Sequence, residues 1–269
     1  MNAINIQDLT VRYSDKLVLD QVSCAFKNNH LTALIGANGC GKSTLLKTIN
    51  GNIRAQSGQI TLADGQNTYQ IDTKLLAKRI SMLPQTPITP EGVTVKQLVS
   101  YGRAPYLNFL GQLSDDDKEH VDKAMKLADI SDLADRSVSA LSGGQRQRAW
   151  IAMVLAQDTE TILLDEPTTY LDMSHQYELL DIARDLVNRH GKTVIVVLHD
   201  LNQACRYADQ LVIVHKQTIY DQGSPKKVFT EQMLSEVFNL DARVIEDPES
   251  KTPMAIPRAT RQTPTAALI

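Results

Sequence analysis

The sequence predicts an α/β fold from three features. A glycine-rich loop, Gly36-Ala37-Asn38-Gly39-Cys40-Gly41-Lys42-Ser43, lies between an apolar run, Leu31-Thr32-Ala33-Leu34-Ile35, and a helical stretch starting at Ser43, so strand, loop and helix follow one another. Later, short apolar runs alternate with helical ones: Thr161 to Leu164, a helix around Gln176 to Arg189 stopped by Gly191, then Thr193-Val194-Ile195-Val196-Val197-Leu198. That last run is bare of polar side chains after Thr193, as in the middle of a parallel sheet. Finally, Ile162-Leu163-Leu164-Asp165-Glu166-Pro167 sets two acids at the C-terminal end of a buried strand, where ligands collect in open α/β sheets.

The remaining elements follow in chain order. Ile4-Asn5-Ile6 through Val11-Arg12-Tyr13 alternates as a strand, Val22 to Phe26 as a second, and Gln59 to Leu62 after Ser57-Gly58 as a third, which predicts an antiparallel β-subdomain at the N-terminus. Ile80-Ser81-Met82-Leu83 is a short strand closed by Pro84. From Thr94 to Gln157 the periodicity is helical, so an inserted helical subdomain is expected over about 87–157. Within it Ser114, followed by Asp115-Asp116-Asp117-Lys118-Glu119, supplies a cap and an acidic first turn, and the acidic run reads as a solvated helix face. Leu211 to Val214 and Thr218 to Tyr220 are the last strands of the main domain, 1–240. An extension over 241–269, with Pro248, Pro253, Pro257 and Pro264, should carry a small strand pair near Val244 and Ile256 and a loose tail.

Composition narrows the function classes. At 269 residues the chain can bury a sizeable core, and 42% hydrophobic with 22% charged residues is ordinary for a globular protein. A net charge of −3 gives no electrostatic reason to expect a nucleic-acid partner. No apolar run reaches the roughly 18 residues of a membrane span, and the N-terminus lacks a signal peptide's basic and apolar regions. A cytosolic location is expected unless a partner tethers the chain. Cys24, Cys40 and Cys205 are odd in number and far apart, which fits neither a disulfide framework nor a zinc site. Cys24 and Cys205 read as small core residues. At Cys40, inside the glycine-rich loop near Lys42, alkylation should inhibit nucleotide binding, and bound nucleotide should protect the thiol.

The loop matches G-x-x-x-x-G-K-[ST] in full, and its chemistry follows from its residues. Glycines let successive backbone N–H groups turn inward around a β-phosphate, and the helix N-terminus adds partial positive charge. Lys42 would reach the β- and γ-phosphates, and the Ser43 hydroxyl would take a place on Mg²⁺. Burying Asp165 and Glu166 side by side is costly unless a cation or a reacting water uses them. Asp165 would hold Mg²⁺ through a water and Glu166 would polarise the attacking water; the blander alternative is a capping pair before a proline turn.

A second glycine-rich turn opening a helix, Leu141-Ser142-Gly143-Gly144-Gln145-Arg146-Gln147-Arg148, completes a pattern that resembles the ATP-binding subunit of ABC transporters over nearly the whole chain. The resemblance implies a P-loop NTPase core of the RecA-like type, binding ATP and Mg²⁺ through Gly36, Asn38, Gly39, Cys40, Gly41, Lys42, Ser43 and Thr44. It implies that Tyr13 stacks on adenine and that Gln85, after Pro84, is the lid glutamine sensing Mg²⁺ and the membrane partner. Tyr170-Leu171-Asp172 then matches the loop joining two nucleotide sites, and His199, before Asp200, the histidine on the γ-phosphate. It also implies a head-to-tail homodimer, in which Ser142, Gly143, Gly144 and Gln145 of one subunit face the nucleotide of the other. Arg146 and Arg148 read equally well as surface or rim charges.

Tyr101-Gly102-Arg103-Ala104-Pro105-Tyr106, Gln147 to Met153 and Thr168 to Asp172 followed by His175-Gln176 are similar to ATPases of bacterial iron-siderophore, haem and cobalamin importers. The ending from Arg243 to Pro257 is similar too. Ferric siderophore is the favoured cargo, with haem or cobalamin as the alternative. Such ATPases sit at the cytoplasmic face of the plasma membrane on two polytopic permease subunits, served indirectly by a substrate-binding protein. Residues from Gln85 to about Leu110, with Thr86-Pro87-Ile88-Thr89-Pro90 at the start and Tyr106, Leu107, Phe109 and Leu110 as an apolar cluster, would receive a permease helix; packing inside the helical subdomain is the alternative. A non-transport ABC ATPase would bring a coiled-coil insertion or a tandem cassette, and a GTP-binding module an Asn-Lys-x-Asp guanine reader. The sequence has none of these.

Overall fold

The computed structural model describes residues 1–88, 91–108, 111–169 and 171–258. β1 (Asn2–Tyr13) and β2 (Lys16–Lys27) form an antiparallel hairpin. Their alternation breaks where Gln7 and Asp8 are both exposed and Asp8 takes φ 48°, a bulge that bends the pair. The chain then leaves this sheet through β3 (Leu31–Ile35) and α1 (Lys42–Ile49), returning as β4 (Ser57–Leu62) on the free edge of β1.

After α2 (Thr73–Leu76) and β5 (Ile80–Leu83) comes the helical subdomain of α3 (Val95–Ser100), α4 (Asp115–Leu127) and α5 (Gly143–Ala156). Each of these helices opens with a capping box, on Thr94, Ser114 and Ser142, so their starts are fixed by short polar residues three before a Gln, Asp or Gln. Between α3 and α4, Tyr101 to Tyr106 forms a 3₁₀ turn. Gly102 crosses α5 so closely that a Cβ would lie 2.1 Å from the Met153 carbonyl oxygen. Arg103 donates from Nε to Asp117 Oδ1 at 2.7 Å and from a terminal nitrogen to the Ala156 carbonyl at 2.9 Å, while its guanidinium sits 3.7 Å from the Tyr106 ring centre.

This staple corrects one sequence expectation, since Asp117 is buried rather than part of a solvated face. Tyr106, half-buried, lies against Arg103 and donates its hydroxyl to the Gln157 carbonyl at 3.0 Å, in line with the alternative of packing inside the helical subdomain. Ile88 is 89% exposed and Leu107 is half-buried; Phe109 and Leu110 of the expected apolar cluster lie outside the described residues, with Thr89 and Pro90.

The main sheet is completed by β6 (Thr161–Leu164), α6 (Met173–Asn188), β7 (Thr193–Val197), α7 (Leu201–Tyr207), β8 (Gln210–His215) and β9 (Thr218–Gly223). Its strand order is β5-β6-β7-β3-β8-β9, parallel except for the last pair. Both faces are covered. Val194 and Val196 of β7 join the core under the helices, whereas Ile195 and Val197 join the core shared with the antiparallel sheet and α1, which is why the run carries no polar alternation. α8 (Pro225–Val228), α9 (Glu231–Phe238) and a hairpin of β10 (Ala242–Glu246) and β11 (Pro253–Pro257) follow. The hairpin is held to α7 by the Asn202 amide, which accepts from the Ala255 N–H at 2.8 Å and donates to its carbonyl at 3.2 Å.

Candidate functional site

The strand order decides which residues meet. β5, β6, β7 and β3 are parallel neighbours, so the segments leaving their C-terminal ends emerge side by side: Gln85 after β5, Asp165 and Glu166 after β6, His199 after β7, and the glycine-rich loop after β3. A cavity of about 360 Å³ lies there, lined by Asn38, Gly39, Gly41, Lys42, Ser43, Thr44, Gln85, Glu166 and His199, with Val18 from the hairpin closing one side.

The loop is built from backbone that other residues would obstruct. At Gly36, with φ 153°, a Cβ would lie 2.2 Å from the Val214 carbonyl oxygen. Gly41, at φ 110°, occupies the cap position of α1 and leaves the helix start without a side-chain cap, so its N–H groups are available to an anion. Lys42 is buried and donates to the Gly36 and Ala37 carbonyls at 2.8 and 3.1 Å, which holds its ammonium under the loop. Cys40 is also buried, with Sγ 4.0 Å from Lys42 Nζ. Burial pushes its thiol up against the opposing pull of Lys42. Because the reactive form is the thiolate, this burial slows any alkylation at Cys40.

Beneath the loop the Ser43 hydroxyl donates to Asp165 Oδ1 at 2.8 Å. Asp165 Oδ2 is buried without a partner, and burial, with Glu166 adding repulsion, raises the carboxyl above its ordinary range despite the Ser43 bond. An orphaned buried oxygen beside a hydroxyl is what a hard, oxygen-seeking cation would relieve, so the donor set fits Mg²⁺. Glu166 sits at φ 51°, a strained backbone for this residue. Its Oε2 accepts from Gln85 Nε2 at 2.6 Å and from the Thr169 hydroxyl at 3.5 Å, and lies 2.8 Å from His199 Nε2. One carboxylate oxygen thus gathers groups from three strand ends, while its side chain stays 11% exposed toward the cavity.

Other residues singled out in the sequence stand apart from this cavity. Tyr13, 47% exposed, ends β1 opposite Lys16. Ser142 and Gly143 are exposed at the start of α5, and Asp172 is exposed at the start of α6, where its carboxylate accepts from the His175 N–H. A second cavity of about 250 Å³ reaches Gln85, Pro87 and Glu166 on one side and Gly143, Arg146 and Trp150 on the other. Arg148 is a rim charge paired with Asp129 and Glu178. Val18 was not singled out in the sequence, and Thr169 appeared there only as part of a motif. Gln147, which donates to the Pro167 carbonyl at 2.8 Å, and Gln176, which donates to the Leu171 carbonyl at 3.0 Å, were quoted only as parts of motifs.

A buried lysine under a glycine loop, with paired acids and a histidine on the adjoining strands, defines a phosphate-loop nucleoside triphosphatase. Residues 19–169 match the ABC transporter family model. The achromobactin transport ATP-binding protein of Dickeya dadantii is 49% identical over 96% of this chain and 95% of its own length. The ferric enterobactin transport ATP-binding protein of Escherichia coli is 44% identical over 93% and 92%. Among solved structures, a metal-chelate-type ABC transporter in an inward-facing conformation superposes with a TM-score of 0.83 at 28% identity, covering 97% of this chain and 99% of that one. The chain belongs to the ABC transporter family and is one of its ATP-hydrolysing subunits.

Proposed function

We propose that this ATPase powers import of a ferric siderophore, working as a homodimer on the cytoplasmic face of the membrane beneath two polytopic permease subunits. The observation that carries the catalytic part is the convergence on Glu166 Oε2. Lys42 and the start of α1 would hold the triphosphate, and Glu166 would take a proton from the attacking water. Gln85 and His199 would orient Glu166 and meet the γ-phosphate. Ser43, Asp165 and Gln85 would hold Mg²⁺, which when bound neutralises charge on the phosphates. Tyr13 would stack on adenine from the rim of the hairpin.

Ser142 to Gln145 stand outside the cavity of their own chain, which supports a site completed by the signature of a second copy, with Asp172 at the join. The permease would dock along the side of the second cavity, where Gln85 touches both spaces, and a substrate-binding protein would deliver cargo from the far side. Siderophore rather than haem or cobalamin is favoured by the names of the relatives at 49% and 44% identity. No described helix is long and apolar enough to cross a membrane, which fits a peripheral subunit.

Glu166→Gln should keep ATP binding, lose about 10²–10⁴-fold in turnover and accumulate a closed dimer on gel filtration with ATP. Normal hydrolysis by that variant would remove Glu166 from its role. Uptake of iron chelates, haem and cobalamin into vesicles holding the whole transporter identifies the cargo.

A further inference from the structure

The start of the signature helix is fastened, within its own chain, to the loop that follows the catalytic acid. Gly144, in the first turn of α5, lies against the His175 ring: a Cβ there would come within 2.7 Å of His175 Cδ2 and 3.0 Å of Nε2. Such a contact would be cheap to relieve if the ring could swing aside. It is pinned instead, because the ring nitrogen Nδ1 lies 2.5 Å from Asp172 Oδ1, and the same oxygen also accepts the His175 backbone N–H at 3.0 Å. Gly143, one residue earlier, has open space around its Cβ position. The two signature glycines therefore answer to different demands.

We infer that His175 is a positioning residue: wedged between Gly144 and Asp172, it sets where the start of the signature helix stands relative to the loop from Glu166 to Asp172. Gln147 makes the second fastening, one turn further along α5, through the Pro167 carbonyl. The inference deepens the reading above and rests on the signature completing a partner's nucleotide site. Under that reading each chain uses Glu166 for its own ATP and Ser142 to Gln145 for its partner's, so the His175 wedge ties the geometry of one site to that of the other. A displacement approaching 1 Å is enough to cost about 10²-fold in rate, so a rigid wedge matters.

The test is a pair of substitutions in the full chain, read as steady-state ATPase kinetics with circular dichroism as the folding control. Gly144→Ala should lower kcat by about 10- to 100-fold and leave the KM for ATP within about twofold, because the phosphate loop that holds the nucleotide is untouched. Adding His175→Ala to it should recover part of that loss, because the obstructing ring is gone, while remaining below the normal rate, because the wedge is gone with it. His175→Ser, which retains a hydroxyl for Asp172, provides the same rescue if the alanine version folds poorly. Should both double variants fold and stay as slow as Gly144→Ala alone, the wedge is refuted, and glycine at 144 is required by something other than His175. If Gly144→Ala alone turns over at the normal rate, the ring yields and the wedge is refuted; the reading that the signature completes the reaction site fails separately, if turnover per chain does not change with protein concentration.

Discussion

The nucleotide cavity and the signature-bearing helical subdomain are held in place by different kinds of force. Apart from Val18 of the hairpin, the groups around the cavity follow the ends of parallel strands, and those strands are fixed by the sheet register, Leu83 with Leu164, Leu164 with Val196, Leu34 with Val197. The helical subdomain has its own internal staple, but the signature end of α5 meets the catalytic loop and the α6 that follows it through a few side chains: Gln147 on Pro167, Gly144 against His175, and Arg148 with Glu178. Backbone ladders over buried strands resist displacement; isolated side-chain contacts can exchange. The contrast teaches that backbone register fixes the strand-end groups of the cavity, whereas above the core the two regions share the start of the signature helix is set by a few side-chain contacts.

The largest effect expected from that contrast is on the staple. Arg103 and Asp117 are a buried pair, with side chains 3% and 6% exposed. Removing one partner leaves the other charged and unpaired, at a cost of about 3–5 kcal/mol. Arg103→Ala should raise hydrogen exchange throughout α3, α4 and α5 while β3, β6 and β7 remain protected. Uniform loss of protection would show that the two regions unfold together. Replacing both partners by apolar residues should restore most of the loss.

Acid should act on the same staple. Burial pushes the Asp117 carboxyl up, but the Ser114 hydroxyl and N–H and the Arg103 guanidinium outweigh it and hold it lowered to about 2. A depressed folded-state value means that the stabilisation is fully present above the ordinary carboxylate value of 3.8 and fades as pH falls from there toward 2. In Asp117→Asn that component should disappear from the acid unfolding curve. Identical acid limbs in the two proteins would assign the transition to other carboxylates.

A smaller effect is expected where the two regions meet. Gln147→Leu removes the donor to the Pro167 carbonyl without touching the cavity, and should reduce kcat by about tenfold with little change in ATP affinity. If ATP affinity falls instead, the amide supports the nucleotide cavity and the contrast between the halves is weaker.

The legibility of the sequence follows the same division. The glycine loop, the acids after β6 and the histidine after β7 announce themselves because a strand, a turn and a reactive residue lie within one short stretch. The antiparallel sheet was readable from period-two alternation in β1 and β2. What joins distant stretches was not: Gln147 and His175 look like ordinary helix residues until the fold sets them against Pro167 and Gly144. Asp117 looked solvated because its partner, Arg103, comes from a 3₁₀ turn with no periodic signal. Short α7 and α9 were passed over because seven or eight residues hold too few repeats to show a helical period.

Cys40 gives the smallest effect and the sharpest test of how closed the loop is. Its position beside Lys42 suggests an activated thiol, yet the loop folds over the sulfur, and desolvation outweighs the lysine's attraction. Cys24 and Cys205 are more extreme, both pushed up to about 12 by burial. All three thiols should therefore react with a maleimide at least about tenfold more slowly in the native protein than in denaturant. ATP should change the Cys40 rate by less than about twofold, since the loop itself already shields the sulfur. Labelling followed by peptide mass spectrometry separates the three sites. Strong protection of Cys40 by ATP would mean that the loop opens often enough in solution to expose the thiol, so that the strand register on either side does not keep it closed.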